Sequence, residues 1–139
     1  MFKKRERKLF DKARHFEKLG NYKEAIKCYD TILELNEGDA DVWNNKGVAL
    51  DDLGQTKEAI KCYNRALEIN LTHPEARSNK EDALSDIRDK QLQELKSLIQ
   101  ETRQLDKAKE KIQNWKDEGY DVSDLEKVIK KSNEEGFDG

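Results

Sequence analysis

The chain of 139 residues contains little that would interrupt a helix, because it has only one proline and seven glycines. It also lacks runs of β-branched or aromatic residues with period two, which are typical of strands. No apolar run is long enough to span a bilayer, and no apolar stretch follows the basic N-terminus, so we expect neither a membrane segment nor a secretory signal peptide. These absences favour an all-α protein that does not act in a membrane.

Charged residues dominate what is present, at 41% of the chain against 35% for hydrophobic residues. Such a composition predicts a thin core and a heavily charged surface. The formal net charge of −3 hides an asymmetry, since residues 1–18 carry a net charge of +5 and residues 19–139 carry −8. The chain therefore has a basic head and an acidic body.

An internal repeat with an offset of 34 residues is visible in the sequence. Residues 19–37 align with residues 53–71, and 12 of these 19 pairs are identical. Repeats of this length are typical of stacked helical hairpins. The pattern predicts helices near residues 4–19, 22–36, 40–53 and 56–70, which pair in antiparallel fashion.

The repeat resembles the tetratricopeptide repeat family. The first copy keeps Gly20 and the second half of the family pattern but diverges earlier, and Glu37 and Leu71 stand where the family has a closing proline. The second copy carries the family residues at the family spacing, namely Trp43, Gly47, Leu50, Gly54, Ala59, Tyr63 and Ala66.

This resemblance implies a short α-solenoid of helix-turn-helix repeats. We expect a repeat domain over residues 1–90, with repeats at about 6–39 and 40–73 and a capping helix from Pro74, where a proline suits the first turn. Residues 91–139 form a helical extension in this interpretation.

The extension lacks glycine and proline between Pro74 and Gly119, and an apolar stripe runs from Leu92 to Trp115 at helical spacing. This stretch could be one rod or two helices, and we favour a break near residues 101–106. Gly119 is suited to end a helix.

A last helix is expected to begin at residues 123–126, whose Ser-Asp-Leu-Glu sequence is a capping box. Leu125, Val128 and Ile129 would pack against Ile112 and Trp115 in a helical hairpin. Residues 132–139 are expected to be frayed.

No group of residues indicates catalysis or metal binding. Cys28 and Cys62 occupy equivalent repeat positions, which adjacent helices place roughly 10 Å apart, beyond the ~7 Å limit for a disulfide. Two buried thiols in a reduced, cytoplasmic setting are the simplest interpretation. His15 and His73 are expected at the surface or in turns. We therefore predict no enzyme activity, no metal and no cofactor.

The resemblance implies a groove lined by the first helix of each repeat and by the capping helix. Asparagine side chains in such a groove can both donate to and accept from a peptide backbone. In the first repeat, Arg7, Phe10, Asp11 and Arg14 fall on this face. The predicted partner-binding residues are Asp41, Asn44, Asn45, Val48, Asp51, Asp52, Glu75, Asn79 and Asp82.

One subclass of the family grips the carboxylates of heat-shock chaperone tails with a clamp of basic residues and asparagines. The matching positions here are Phe10, Arg14, Asn45, Glu75 and Asn79, of which only Asn45 agrees. Glu75 would repel a carboxylate, which argues against such tails. The acidic groove instead favours a basic or neutral protein segment.

The leading functional hypothesis is therefore a protein-interaction module. The alternative is a self-assembling structural protein, held together by its C-terminal helices as a coiled coil or by contacts between basic head and acidic body. A third hypothesis, nucleic-acid binding through residues 3–14, is disfavoured because the body is acidic and few aromatic residues accompany the cations.

Overall fold

The computed structural model describes residues 3–102 and 105–134, except for the side chains of residues 101 and 102. This part of the chain is helical and contains no strand, so the predicted all-α fold is confirmed. It divides into two compact units, with the boundary between Ile87 and Arg88. In chain order the helices are α1 (Lys4–Lys18), α2 (Tyr22–Leu35), α3 (Ala40–Asp52), α4 (Thr56–Ile69), α5 (Pro74–Thr102), α6 (Leu105–Asp117) and α7 (Ser123–Glu134).

The first unit contains the two helical hairpins α1–α2 and α3–α4, which contact each other through α2 and α3. Each hairpin turns at a glycine with positive φ, 76° at Gly20 and 81° at Gly54. A left-handed residue at this point lets its own amide and the next one return to carbonyls of the last helical turn: Gly54 N donates to Asp51 O, and Gln55 N donates to Leu50 O. The repeated glycine is therefore what closes each hairpin.

An asparagine directly precedes the position of the family's closing proline at the end of each repeat. Asn36 Oδ1 accepts a hydrogen bond from Gly38 N at 3.1 Å, and Asn70 Oδ1 accepts one from Thr72 N at 3.1 Å. A side-chain amide that bonds the backbone two residues ahead mimics a turn. The two repeats can thus end in the same way without proline.

The core of the first unit is built around two tyrosines at equivalent repeat positions. Tyr29 is fully buried with Ala13 and Ala25, and Tyr63 is buried with Ala59. Small residues beside each ring let the paired helices approach closely. Ala83 of α5 joins the cluster around Tyr63, so the beginning of α5 covers the second repeat.

The second unit gathers the end of α5, α6 and α7 around its own core. The predicted break near residues 101–106 coincides with residues 103 and 104, which lie outside the described part of the chain. Ile112 of α6 shares a buried cluster with Leu125 and Ile129 of α7. The predicted packing of α6 against α7 is therefore confirmed. Gly119 has a φ of 96°, the left-handed conformation expected at the end of α6.

The predicted capping box at the start of α7 is wrong. Ser123 lies inside the helix, and its hydroxyl and amide both donate to Asp121 Oδ1, at 2.8 and 3.1 Å. The amide of Glu126 bonds Val122 O instead of the Ser123 side chain. Asp121 organises this end because its carboxylate reaches two donors at once.

The predicted frayed tail begins too early. Ser132 is buried and residues 132–134 belong to α7, whereas residues 135–139 lie outside the described part of the chain. None of the helices, over the residues described, is long and apolar enough to cross a membrane.

Candidate functional site

The hydroxyl of the buried Tyr29 reaches a carboxylate of α1. The Tyr29 hydroxyl donates to Glu17 Oε1 at 2.9 Å, and Arg14 Nε lies 3.4 Å from Glu17 Oε2. The pKa of the Glu17 carboxyl is raised, mainly by burial and to a smaller extent by the negative charge of Asp52. The hydrogen bond from Tyr29 and the positive charge of Arg14 act in the opposite direction and lower this pKa. Glu17 on α1 is therefore electrostatically coupled to Asp52 on α3.

Three predicted site residues act together on the second tyrosine. Burial of the Tyr63 hydroxyl raises its pKa, and the negative charges of Asp51, Asp52 and Asp82 raise it further. Asp82 belongs to α5, whereas Asp51 and Asp52 end α3. Carboxylates of two helices thus lie near enough to the Tyr63 hydroxyl to raise its pKa.

These carboxylates differ in how they are used. Asp51 is half-buried and accepts a hydrogen bond from Thr56 Oγ1 at 3.0 Å, so it supports the turn between α3 and α4. Asp52 and Asp82 are exposed. The latter two are the carboxylates that present negative charge to solvent beside Tyr63.

Two other predicted residues join α3 to the capping helix. Asn44 is buried, at 6% exposure, and its Oδ1 accepts a hydrogen bond from Asn79 Nδ2 at 3.0 Å. Leaving either amide unpaired in this position would be costly. The pair therefore has a structural task within the first unit.

His73 makes a second connection to α3. It lies in the turn between α4 and α5, so the expectation of a surface or turn histidine holds for the turn but not for the surface. The ring is buried; its Nδ1 accepts from Ala76 N at 3.1 Å, and Nε2 lies 2.7 Å from Asp41 Oδ1. Because Nδ1 accepts, the ring proton is on Nε2, which donates to Asp41. His15, in contrast, is exposed as expected.

The cap function of His73 has a counterpart one repeat earlier. Asp39 lies 34 residues before His73, and its Oδ1 accepts from Val42 N at 3.2 Å at the start of α3. Alignment of these two positions was the sequence signal that could have identified His73 as a helix cap. Histidine is not among the residue types preferred there, so the signal was missed.

The remaining predicted residues are exposed or half-buried. Glu75 is exposed, with Oε2 3.5 Å from His73 Nδ1, and Asn45 and Val48 are half-buried on α3. On α1, Arg7 and Asp11 are exposed, as is Arg14, whereas Phe10 packs edge-on against Tyr29 with ring centroids 6.0 Å apart.

The apolar stripe of the extension is occupied within the chain. Leu95 is fully buried and Ile99 and Ile112 nearly so, while Leu92 and Trp115 pack against the same cluster. A coiled coil between two copies through this stripe would have to expose that core, so the coiled-coil form of the self-assembly hypothesis is not supported. Contact between basic head and acidic body stays a prediction, which light scattering at increasing salt would test.

The two cysteines are buried and unbridged. Burial raises the pKa of the Cys28 thiol and raises the pKa of the Cys62 thiol to about 11. The part of the chain that the structure describes contains no group of three or more histidine, cysteine or acidic side chains that could hold a metal ion.

Alkylation should report the high thiol pKa of Cys62. Since the thiolate is the reactive form, we expect iodoacetamide at pH 8 to modify Cys62 roughly a hundredfold more slowly than free cysteine, and the rate to rise about tenfold per pH unit towards pH 11. Mass spectrometry of digested samples gives the rate at each cysteine. The same reaction in urea should approach the rate of free cysteine, and rapid modification of the folded chain at pH 8 would contradict the burial of the thiol.

Comparison with known proteins agrees with this architecture. The family models named tetratricopeptide repeat match residues 7–39 and 40–73. Among curated proteins, none matches the sequence closely enough to count as a relative.

Two solved structures have a similar fold. One is the first TPR of Spaghetti (RPAP3) bound to the HSP90 peptide SRMEEVD, with a TM-score of 0.60 at 18% identity over 96% of this chain and 97% of that chain. The other is the Sgt2 TPR domain from Aspergillus fumigatus, with a TM-score of 0.60 at 18% identity over 99% of this chain and 84% of that chain.

The same two repeats are indicated by the helix pairs, the turn glycines, the buried tyrosines and both family matches. Domains of this kind typically mediate protein–protein interaction and are generally not catalytic. The chain is a tetratricopeptide repeat protein with two repeats, at residues 7–39 and 40–73.

Proposed function

We propose that the first unit binds an extended segment of a partner protein along α1, α3 and the beginning of α5, with a basic side chain of the partner beside Asp52 and Asp82. The observation that carries the proposal is the exposure of Asp52 on α3 and of Asp82 on α5, two helices that the Asn44–Asn79 hydrogen bond joins. Acidic groups from two helices attract a cation more strongly than one exposed carboxylate does, because their potentials add.

The arginine charges on α1 differ in sign from the carboxylates of Asp52 on α3 and Asp82 on α5, so the surface can favour one orientation of a bound segment. Arg7 and Arg14 are exposed on the groove-facing side implied by the family resemblance, while Asp52 and Asp82 lie on later helices. A partner segment with basic residues at one end and acidic or neutral residues at the other would match this order.

An acidic chaperone tail fits this surface poorly. One of the two proteins similar in fold, the first TPR of Spaghetti (RPAP3), is bound to the peptide SRMEEVD. In this chain, Glu75 stands at one of the clamp positions and is exposed. Asn79, at another clamp position, has its Nδ2 bonded to Asn44. The two repeats therefore support selection of a basic or neutral segment.

Fluorescence anisotropy of labelled peptides tests the proposal. Three peptides share an alanine-serine background and carry lysine, glutamine or glutamate at the same positions, and SRMEEVD serves as a fourth probe. We expect the lysine peptide to bind most tightly, and Asp52→Lys and Asp82→Lys each to weaken it about tenfold, or 1.4 kcal/mol. The affinity should also fall as salt rises.

Glu24→Lys provides the matched control, because Glu24 is an exposed acid on α2, away from the predicted groove. It changes the net charge by the same amount and should leave the affinity nearly unchanged. Equal losses in all three variants would mean that only the overall charge matters. Tighter binding of SRMEEVD than of the lysine peptide would contradict the proposal.

The structure also determines which acids are suitable for this test. Asp41 bonds His73 and Asp51 bonds Thr56, so reversal of either charge would disturb the fold as well as the surface. Asp52 and Asp82 avoid this complication because their exposed side chains make no hydrogen bond or ion pair with the described residues.

A further inference from the structure

A cavity of about 340 Å³ lies between α2, α3 and α4 of the first unit. None of its lining residues belongs to the nine predicted groove residues, so it is a separate feature of the surface. Its volume lies at the small end of the range of roughly 300–1,000 Å³ found for small-molecule sites.

The inner wall of the cavity is apolar. Leu50 and Cys62 belong to the buried cluster around Tyr63, and Ile26 and Trp43 pack against that cluster while remaining half-buried. The indole is held in a defined orientation because Trp43 Nε1 donates to a backbone oxygen, Glu37 O, at 2.7 Å. A flat apolar molecule would find a fixed aromatic surface here.

Cations surround the indole. Lys46 Nζ lies 5.6 Å and Arg65 Cζ lies 5.3 Å from the centre of the Trp43 ring, and Lys61 also lines the cavity. Cations within about 6 Å of a ring face are attracted by its quadrupole. Lys46 Nζ is paired with Asp30 Oδ1 at 2.6 Å and Lys61 Nζ with Glu58 Oε1 at 3.2 Å. Arg65 is therefore the cation of this lining whose acidic partner lies outside the cavity.

The acidic partner of Arg65 can be replaced at low cost. Arg65 Nη1 lies 2.8 Å from Glu68 Oε2, but the two side chains are 43% and 61% exposed, and Glu68 does not line the cavity. Exposed pairs of this kind contribute about 0–1 kcal/mol. A carboxylate held in the cavity could bond the planar guanidinium with two parallel hydrogen bonds, which a single lysine could not offer it.

We propose that this cavity binds a small planar aromatic carboxylate, with its ring against Trp43 and Leu50 and its carboxylate on the guanidinium of Arg65. The inference concerns a different face from the partner groove and does not depend on the proposed function. A neutral ring would lose the charged contact with Arg65, and a cationic ring would be repelled by that guanidinium.

NMR of the two tryptophan indoles in the full chain tests this proposal. The only tryptophans are Trp43 and Trp115, and a Trp115→Phe variant assigns their indole N–H signals. Titration with naphthalene-2-carboxylate should shift the Trp43 signal to saturation and leave Trp115 in place. The uncharged 2-naphthamide should bind at least about tenfold more weakly, a difference of 1.4 kcal/mol.

The repeat supplies a matched pair of control variants. Lys27 and Lys61 are equivalent, and their Nζ atoms each lie 3.2 Å from a glutamate three residues earlier in the chain, but only Lys61 lines the cavity. Lys61→Gln should weaken binding severalfold, Arg65→Gln at least about tenfold, and Lys27→Gln not at all. Unchanged affinity in Arg65→Gln, equal binding of the amide, or equal shifts at Trp115 would each overturn the proposal.

Discussion

Replacing Gly47 by alanine is expected to destabilise the first unit by about 1–3 kcal/mol, the usual cost of an extra methyl group in a filled core. A Cβ at this position would lie 2.5 Å from Cε1 and 2.8 Å from Cδ1 of Tyr63, a side chain only 1% exposed. The effect opposes helix propensity, which would favour alanine over glycine by about 1 kcal/mol. Urea denaturation followed by circular dichroism measures the net result.

The first repeat supplies a control for Gly47. Its equivalent position is Ala13, which is fully buried beside Tyr29, so this repeat already accommodates the methyl group. Ala13→Gly should also destabilise, by about 1 kcal/mol, because it lowers helix propensity. The loss in Gly47→Ala should shrink when Tyr63→Leu removes the ring, as a double-mutant cycle would show. Equal or greater stability of Gly47→Ala would mean that the ring moves aside freely.

Replacing His73 by alanine should cost about 2 kcal/mol. Roughly 1 kcal/mol comes from loss of the helix cap that Nδ1 gives to Ala76 N. The remainder comes from the vacated buried volume and from the bond to Asp41, whose worth is reduced because the Asp41 side chain is 75% exposed. Urea denaturation gives the change in the free energy of unfolding.

Two variants separate these contributions. His73→Asn keeps a side-chain acceptor suited to a cap but is too short to reproduce both bonds, so it should lose about half as much. Asp39→Ala removes only the equivalent cap at the start of α3 and should cost about 1 kcal/mol. If His73→Ala were no worse than Asp39→Ala, the contact with Asp41 would contribute nothing measurable.

Sequence reasoning predicted the fold well where short-range signals and the repeat agreed. The first four helices end one residue earlier than expected. α1 and α3 end just before the turns at Gly20 and Gly54, and α2 and α4 end just before Asn36 and Asn70. α7 begins at Ser123 as expected, but its cap was predicted less well. Both Asp121 and Ser123 are good caps, and the sequence alone did not show which of them the chain would use.

The candidate site was harder to predict than the fold. Spacing placed Asp41, Asn44 and Asn79 on the groove-facing side, but it could not reveal that they bond residues of another helix. Such pairings depend on how α5 packs on α3, which is a tertiary property. The gathering of Asp52 and Asp82 near Tyr63 depends on the same packing.

The connections between α3 and the capping helix also bear on how long the array of repeats can be. Asn79 lies 34 residues after Asn45, and His73 stands at the last position of the second repeat. If residues 40–73 were duplicated in tandem, the copied asparagine would stand where Asn79 now stands, and the histidine would remain at the junction. The hydrogen bonds between α3 and the capping helix could therefore be kept if whole repeats were added to the array.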